Sequence, residues 1–248
     1  MKIQFSKPIL TFAATAVLLF NSCKPTEEEP VVVKSYGKIQ VFHAAVDAPA
    51  INFEVDGKKM NTDSLSYPKG TPYFDAELTA GKKNVYKIVA AKSSQNLSID
   101  SLTMNTTDVG YSVFVYQDKD AAKTIRSIYS PDNLLAPPAG KAKVRLVFLI
   151  PDFNVNVDVQ VVTSGGEATS SSDFPNVSFP KMTDFINLPK GTYDLKVKFA
   201  GQTTSRLTFT NVAIEDGKIY TLVARGLFNV APTLTNNRGP ALSIVTNK

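Results

Sequence analysis

Apolar and polar positions alternate with a period of two through most of the chain. Val155, Val157, Val159 and Val161 are interleaved with Asn156, Asp158 and Gln160, and Tyr193, Leu195, Val197 and Phe199 with Asp194, Lys196 and Lys198. Such spacing places every apolar side chain of a strand on one face, as an antiparallel sheet with one wet side requires. Turn signals punctuate these runs at Asp56-Gly57, Ala80-Gly81, Lys190-Gly191, Ala200-Gly201 and Asp216-Gly217. No stretch after Pro30 carries a helical period. The pattern predicts an all-β chain of short strands, the signature of a β-sandwich of immunoglobulin or transthyretin type.

The pattern also occurs twice. Lys38-Ile-Gln-Val-Phe-His-Ala-Ala-Val-Asp47 is echoed by Lys143-Val-Arg-Leu-Val-Phe-Leu-Ile-Pro-Asp152. Glu77 to Lys82 is matched by Asn187 to Thr192, Leu102 to Asn105 by Leu207 to Thr210, and Tyr111 to Val115 by Tyr220 to Ala224, always about 105 to 110 residues later. Two prolines and a glycine in Leu135-Ala-Pro-Pro-Ala-Gly140 cannot continue a central strand and separate the copies. The expected division is residues 1–22, 23–35, then sandwich repeats at 36–136 and 141–248. Each repeat, ~100 residues, can hold one core without disulfides.

Residues 1–35 read as an address. Lys2 and Lys7 precede an uncharged stretch from Ile9 to Phe20, too short to span a bilayer and of the length of a signal-peptide core. It ends Phe20-Asn21-Ser22-Cys23, with a large apolar residue three before the cysteine and a small one directly before it. The segment resembles a bacterial lipoprotein signal peptide, which implies acylation of Cys23, palmitate included, and anchoring in the outer membrane; several acyl chains hold firmly where one holds reversibly. Lys24-Pro-Thr-Glu-Glu-Glu-Pro30 is a solvated tether. Its acidic run resembles the surface-export signal of Bacteroidota-type lipoproteins, which implies exposure at the cell surface; a plain spacer would leave the protein on the periplasmic leaflet.

Composition narrows the chemistry. With one cysteine and one histidine among 248 residues, neither a disulfide framework nor a thiolate or multi-histidine metal centre is open to this chain. The net charge of +5 is spread over turns and strand faces, without the clustered stripe that tracks nucleic acid. His43 has Asp47 near it, as a base or ligand would, but no second histidine completes a set, and the second copy has a hydrophobic residue, Leu149, at that place. The reading for His43 is a strand end bonded to a turn, and for Asp47 and Asp152 the capping of turns. Asp118-Lys-Asp120 reads as a solvated hairpin loop. No catalytic residue, metal site or cofactor is expected.

The segment Val41-Phe-His-Ala-Ala-Val-Asp-Ala-Pro-Ala-Ile-Asn-Phe-Glu-Val-Asp-Gly57, followed by Leu78-Thr-Ala-Gly81 and a late Tyr-rich strand, resembles the domain of unknown function 4397 (DUF4397) family. The likeness is looser in the second copy, which lacks the His and the Ala-Pro. It implies an extracytoplasmic β-sandwich module and supplies no activity. Two features remain as candidates. Aromatics and prolines follow the second strand of each copy, at Tyr67, Tyr73 and Phe74 and at Phe174 and Phe179; they form either a platform for a glycan or protein partner or a lid on the sandwich. Asp63-Ser64-Leu65 and Asp100-Ser101-Leu102 resemble an O-glycosylation pattern of Bacteroidota-type envelope proteins, with Ser64 and Ser101 as acceptors. The expected function is a non-catalytic, anchored binding module; the alternative is a structural or assembly subunit of a surface appendage or polysaccharide-uptake complex. The oligomeric state is open.

Overall fold

The computed structural model describes residues 35–78, 81, 83–103, 109–120, 122–231 and 237–248; the expected signal peptide, Cys23 and all of the expected tether but Ser35, which opens the first strand, lie outside them. All regular elements among these residues are strands. The first repeat holds β1 (Ser35–His43), β2 (Ile51–Val55), β3 (Lys58–Lys59), β4 (Phe74–Leu78), β5 (Lys83–Ala90), β6 (Asn96–Thr103), β7 (Gly110–Gln117) and β8 (Ile125–Asp132). The second holds β9 (Lys141–Leu149), β10 (Val157–Thr163), β11 (Phe174–Val177), β12 (Lys181–Met182), β13 (Ile186–Pro189), β14 (Gly191–Phe199), β15 (Ser205–Ile214), β16 (Ile219–Arg225) and β17 (Ala241–Thr246).

Each repeat is a sandwich of two sheets. In the first they run β4-β1-β7-β8 and β3-β2-β5-β6; in the second β12-β9-β16-β17, with β13 also on β9, and β11-β10-β14-β15. Pairing is antiparallel except for β1 with β7 and β9 with β16, which are parallel. A parallel pair needs a crossover, and here the crossover is most of the opposite sheet, so the first and the penultimate long strands close each repeat. The turn at Asp56-Gly57 shows how the local sequence sets a hairpin. Both residues have positive φ, 47° and 82°, as a two-residue turn joining right-twisted strands requires. The Asp56 carboxylate then accepts from the Val85 amide at 2.8 Å and from Asn84 Nδ2 at 2.8 Å, tying that turn to β5.

Alternation produces one core per repeat. Ile39, Val41, Ile51, Phe53, Tyr86, Ile88, Val113 and Val115 form the first, and Leu146, Phe148, Val157, Val159, Leu195, Val197, Tyr220 and Leu222 the second. Strand β2 is buried at every second residue, as its pattern predicts. Strands β7 and β16 are buried at every residue, and β9 nearly so. The reason is a third cluster, Phe42, Ala44, Phe114 and Tyr116 of the first repeat against Val147, Leu149 and Val223 of the second. The outer faces of sheets β4-β1-β7-β8 and β12-β9-β16-β17 thus pack on each other, giving four layers within one compact unit. Phe114 is wholly buried, and removal of such a side chain from water stabilises by roughly 1.5–3 kcal/mol.

The strand register also moves one sequence expectation by a residue. His43 sits opposite Val115, and Phe148 opposite Ala224, so the counterpart of His43 is Phe148 rather than Leu149.

Candidate functional site

The repeats meet through matched positions. Gln40 pairs with Ser112 across β1 and β7, and Arg145 with Thr221 across β9 and β16. Asp132 ends β8 opposite Gly110; Asn247, just past β17, bonds to Ile219. These six side chains, with Tyr73, make one buried network between the sandwiches. Arg145 donates from Nη2 to Asp132 Oδ1 and from Nε to Thr221 Oγ1 at 2.8 Å. Asp132 Oδ2 also accepts from Tyr73 Oη at 2.5 Å and Ser112 Oγ at 2.8 Å, while Gln40 Nε2 donates to Ser112 Oγ at 2.7 Å. Asn247 Nδ2 reaches Tyr73 Oη at 3.0 Å. The ion pair is 1% and 0% exposed. Burial lowers the Arg145 pKa, with Asp132 opposing the shift, and burial first, then the Asp132 charge, pushes the Tyr73 phenol well above its usual range.

The loop aromatics belong to the same interface or to the cores. Tyr67 lies half-buried with Arg225 of the other repeat 5.1 Å from its ring centroid and donating to its Oη at 2.8 Å. Phe179, its counterpart, stands edge-on to Tyr116 of the first repeat at 5.5 Å. Tyr67-Pro-Lys-Gly-Thr71 and Phe179-Pro-Lys-Met-Thr183 are the same segment in the two copies, each with a cis X–Pro bond. Thr71 Oγ1 accepts from the Val41 amide and Thr183 Oγ1 from the Leu146 amide, both at 3.0 Å. Phe74 packs on the first core beside Phe53, and Phe174 is buried in the second. Phe174 also lines, with Pro175, Lys181 and Met182, a cleft of about 330 Å³ at the open edge of that sandwich.

His43 is fully buried. The Ala45 amide donates to its Nδ1 at 3.3 Å, which leaves Nε2 to donate to Pro49 O at 3.0 Å. This is a neutral imidazole spanning a tight turn, and desolvation lowers its pKa while the Pro49 bond opposes the shift. Asp47 reaches further than a local cap, pairing with Lys123 at 2.8 Å and with Arg238 of the second repeat at 2.9 Å. Partial desolvation pushes its pKa up, but the two cations outweigh it and hold it below the usual carboxylate range. Asp152 caps backbone amides, those of Phe228 at 2.6 Å and Asn229 at 2.9 Å, far along the chain. Among the described residues no group of three or more His, Cys, Asp or Glu side chains is placed to hold a metal ion.

Where the ends of the two repeats meet, the β7–β8 hairpin and the β9–β10 turn enclose a cleft of about 310 Å³. Asp118, Asp120, Lys119 and Asn154 face it around Pro151 and Leu227. The hairpin is held from within, Arg126 Nε donating to Asp118 at 2.5 Å and Thr124 Oγ1 to Asp120 at 2.6 Å. Those hydroxyl and backbone bonds from Thr124 keep the Asp120 carboxyl below its ordinary pKa, and it is ionised at neutral pH. Sequence reasoning read this loop as a solvated turn, because the residues that complete the cleft come from the other repeat. Ser64 is exposed in the loop after β3, and Ser101 is half-buried within β6.

Fold and site together define a class of protein: a duplicated β-sandwich fused back to back, with polar clefts at its seams and edges. The sequence matches the DUF4397 family, a domain of unknown function, over residues 37–160 and 149–243, and the chain belongs to that family. No curated protein matches it. Among solved structures, the Bacillus anthracis TIE protein is similar at 13% identity and a TM-score of 0.25, over 77% of this chain and 34% of that one. This chain therefore spans about a third of that protein. A family 26 carbohydrate-binding module of Eubacterium rectale Amy13K, solved with maltoheptaose, is similar at 9% identity and a TM-score of 0.25, over 85% and 97% of the two chains. Family 41 carbohydrate-binding modules from streptococcal virulence factors give 10%, 0.24, 83% and 96%.

Proposed function

We propose that the protein is a non-catalytic binding module, anchored in the outer membrane through acylated Cys23 and exposed at the cell surface, that holds a glycan in the cleft between its repeats. The observation that carries this reading is the cleft itself. Three carboxylates, two ammonium groups and two amides line it around the apolar surface of Pro151 and Leu227. Carboxylates and amides accept from and donate to sugar hydroxyls, and an apolar floor receives a sugar face. Small-ligand sites favour such seams between domains. Two of the walls, Asp118 and Asp120, are fixed by Arg126 and Thr124, so little ordering accompanies binding.

Glycan-array binding by the full-length protein in detergent tests the proposal, with Lys119→Ala and Asn154→Ala as probes. Each is expected to weaken binding roughly tenfold, the effect of one or two lost hydrogen bonds, with an unchanged melting temperature. An array on which no glycan binds, or binding indifferent to both substitutions, refutes the site. Anchoring has its own test: intact mass of the native protein should show acylated Cys23 and loss of residues 1–22, and protease added to intact cells should remove the protein. Hexose increments at Ser64 would establish the glycosylation reading there; Ser101, paired within β6, is expected to stay unmodified.

A further inference from the structure

A sheet edge exposes unpaired amides and carbonyls, and proteins protect such edges with charge, proline, bulges or shortness. Nearly every edge here is protected. Strand β4 carries Asp75 and Glu77, β8 Arg126 and Pro131, and β3 is two lysines. Strand β6 carries Asp100, has a register shift against β5 and lies alongside β8. Strand β11 has Pro175 and a shift, β12 is two residues with Lys181, β13 ends in Pro189, and β15 has Arg206 and two shifts.

Strand β17 breaks the rule. Ala-Leu-Ser-Ile-Val-Thr has no charge, proline or glycine, and its six pairs with β16 run without a shift. Among the described residues it ends its sheet, bonded to β16 alone in the strand order. Ile244 in its middle is 46% exposed. Beside it runs a groove of about 410 Å³ lined by Phe42, Pro72, Tyr73, Ile244, Val245 and Thr246. We propose that β17 pairs antiparallel with β17 of a second copy of this chain, joining two β12-β9-β16-β17 sheets into one. An uncharged strand complements itself, since no like charges face each other across the pair. Antiparallel self-pairing also closes on a two-fold axis, so assembly stops at two, whereas a head-to-tail contact would propagate. The groove receives apolar side chains of the incoming strand. This proposal stands apart from glycan binding, which uses the cleft between the β7–β8 hairpin and the β9–β10 turn.

Sedimentation of the full-length protein in density-matched detergent reads the association directly. The wild type is expected to pass from monomer to dimer with concentration. Ile244→Lys, which places two ammonium groups in the joint, should weaken the dimer at least about tenfold, while Ile99→Lys, at an exposed aliphatic on β6, should not. Hydrogen exchange on the wild type needs no variant: amides of β17 should gain protection as concentration rises, and those of β15 should not. A protein monomeric at every concentration overturns the proposal, as does a dimer whose β17 amides gain nothing. Crosslinks from β17 in cells that reach a different protein and never a second copy would overturn it in favour of a heterologous strand.

Discussion

Asp132→Ala tests whether the buried network holds the two sandwiches together. The carboxylate receives Arg145, Tyr73 and Ser112, and the Arg145 guanidinium is 1% exposed. Its removal leaves an arginine charge between the repeats with Thr221 Oγ1 as its remaining hydrogen-bond acceptor and the Phe114 and Phe185 rings nearby. Removing one partner of a buried pair costs about 3–5 kcal/mol, because the survivor remains buried and uncompensated. For a unit of this size 1 kcal/mol moves the melting temperature by roughly 2–4 °C, so a drop of about 6–20 °C is expected by calorimetry. Arg145→Met should cost a similar amount, and the double substitution less than the sum by about 2 kcal/mol, since it removes both charges. Lys38→Ala is the control: its pair with Asp75 is 62% and 65% exposed, and its loss should change stability by less than about 0.5 kcal/mol. Single losses at Asp132 and Arg145 below about 1 kcal/mol, or an additive double, would refute the reasoning.

His43 should impose a pH dependence. Its folded pKa lies below the unfolded value near 6.5, so the unfolded chain takes the proton first and stability falls as pH drops below about 6.5. His43→Phe, the residue the second repeat uses, should flatten stability measured by urea unfolding between about pH 7 and 5; an unchanged slope would contradict the neutral assignment. Lys198 is fully buried under the loop after β10, where its ammonium donates to Thr169 O at 2.5 Å, Ser171 O at 2.7 Å and Gln160 Oε1 at 3.3 Å. Lys198→Met should cost about 2–3 kcal/mol by stranding those acceptors and speed hydrogen exchange at 164–173; unaltered exchange there would show that the loop is held by other means.

Alternation makes the fold legible because each sandwich has a wetter and a drier face at β2, β5 and β15; on β14 the same pattern misleads, since Asp194 and Lys198 on its polar face are buried. The joining of the repeats was also written in the chain, but in a different code. Val144 to Ile150 and Tyr111 to Tyr116 lose the alternation of their neighbours, as strands buried on both faces must. The matched Tyr-Pro-Lys-Gly-Thr and Phe-Pro-Lys-Met-Thr segments mark where each repeat reaches the other. The network was harder to see, for Gln40, Ser112 and Asn247 are ordinary polar residues until the register sets them beside Arg145 and Asp132. The polar cleft escapes sequence reasoning for a similar reason: its walls lie far apart in the chain.

The strand that enters the fold first is also the one best placed to carry load. Any pull from the segment before Ser35 runs along β1, which is flanked by β4 over five register pairs and by β7 over six. Force along a strand gripped on both sides must shear many hydrogen bonds at once instead of opening them one by one. A chain pulled at that end therefore has to shear β1 from both neighbours, and because Gln40 and Phe42 of β1 belong to the joint between the repeats, the load reaches that joint at once.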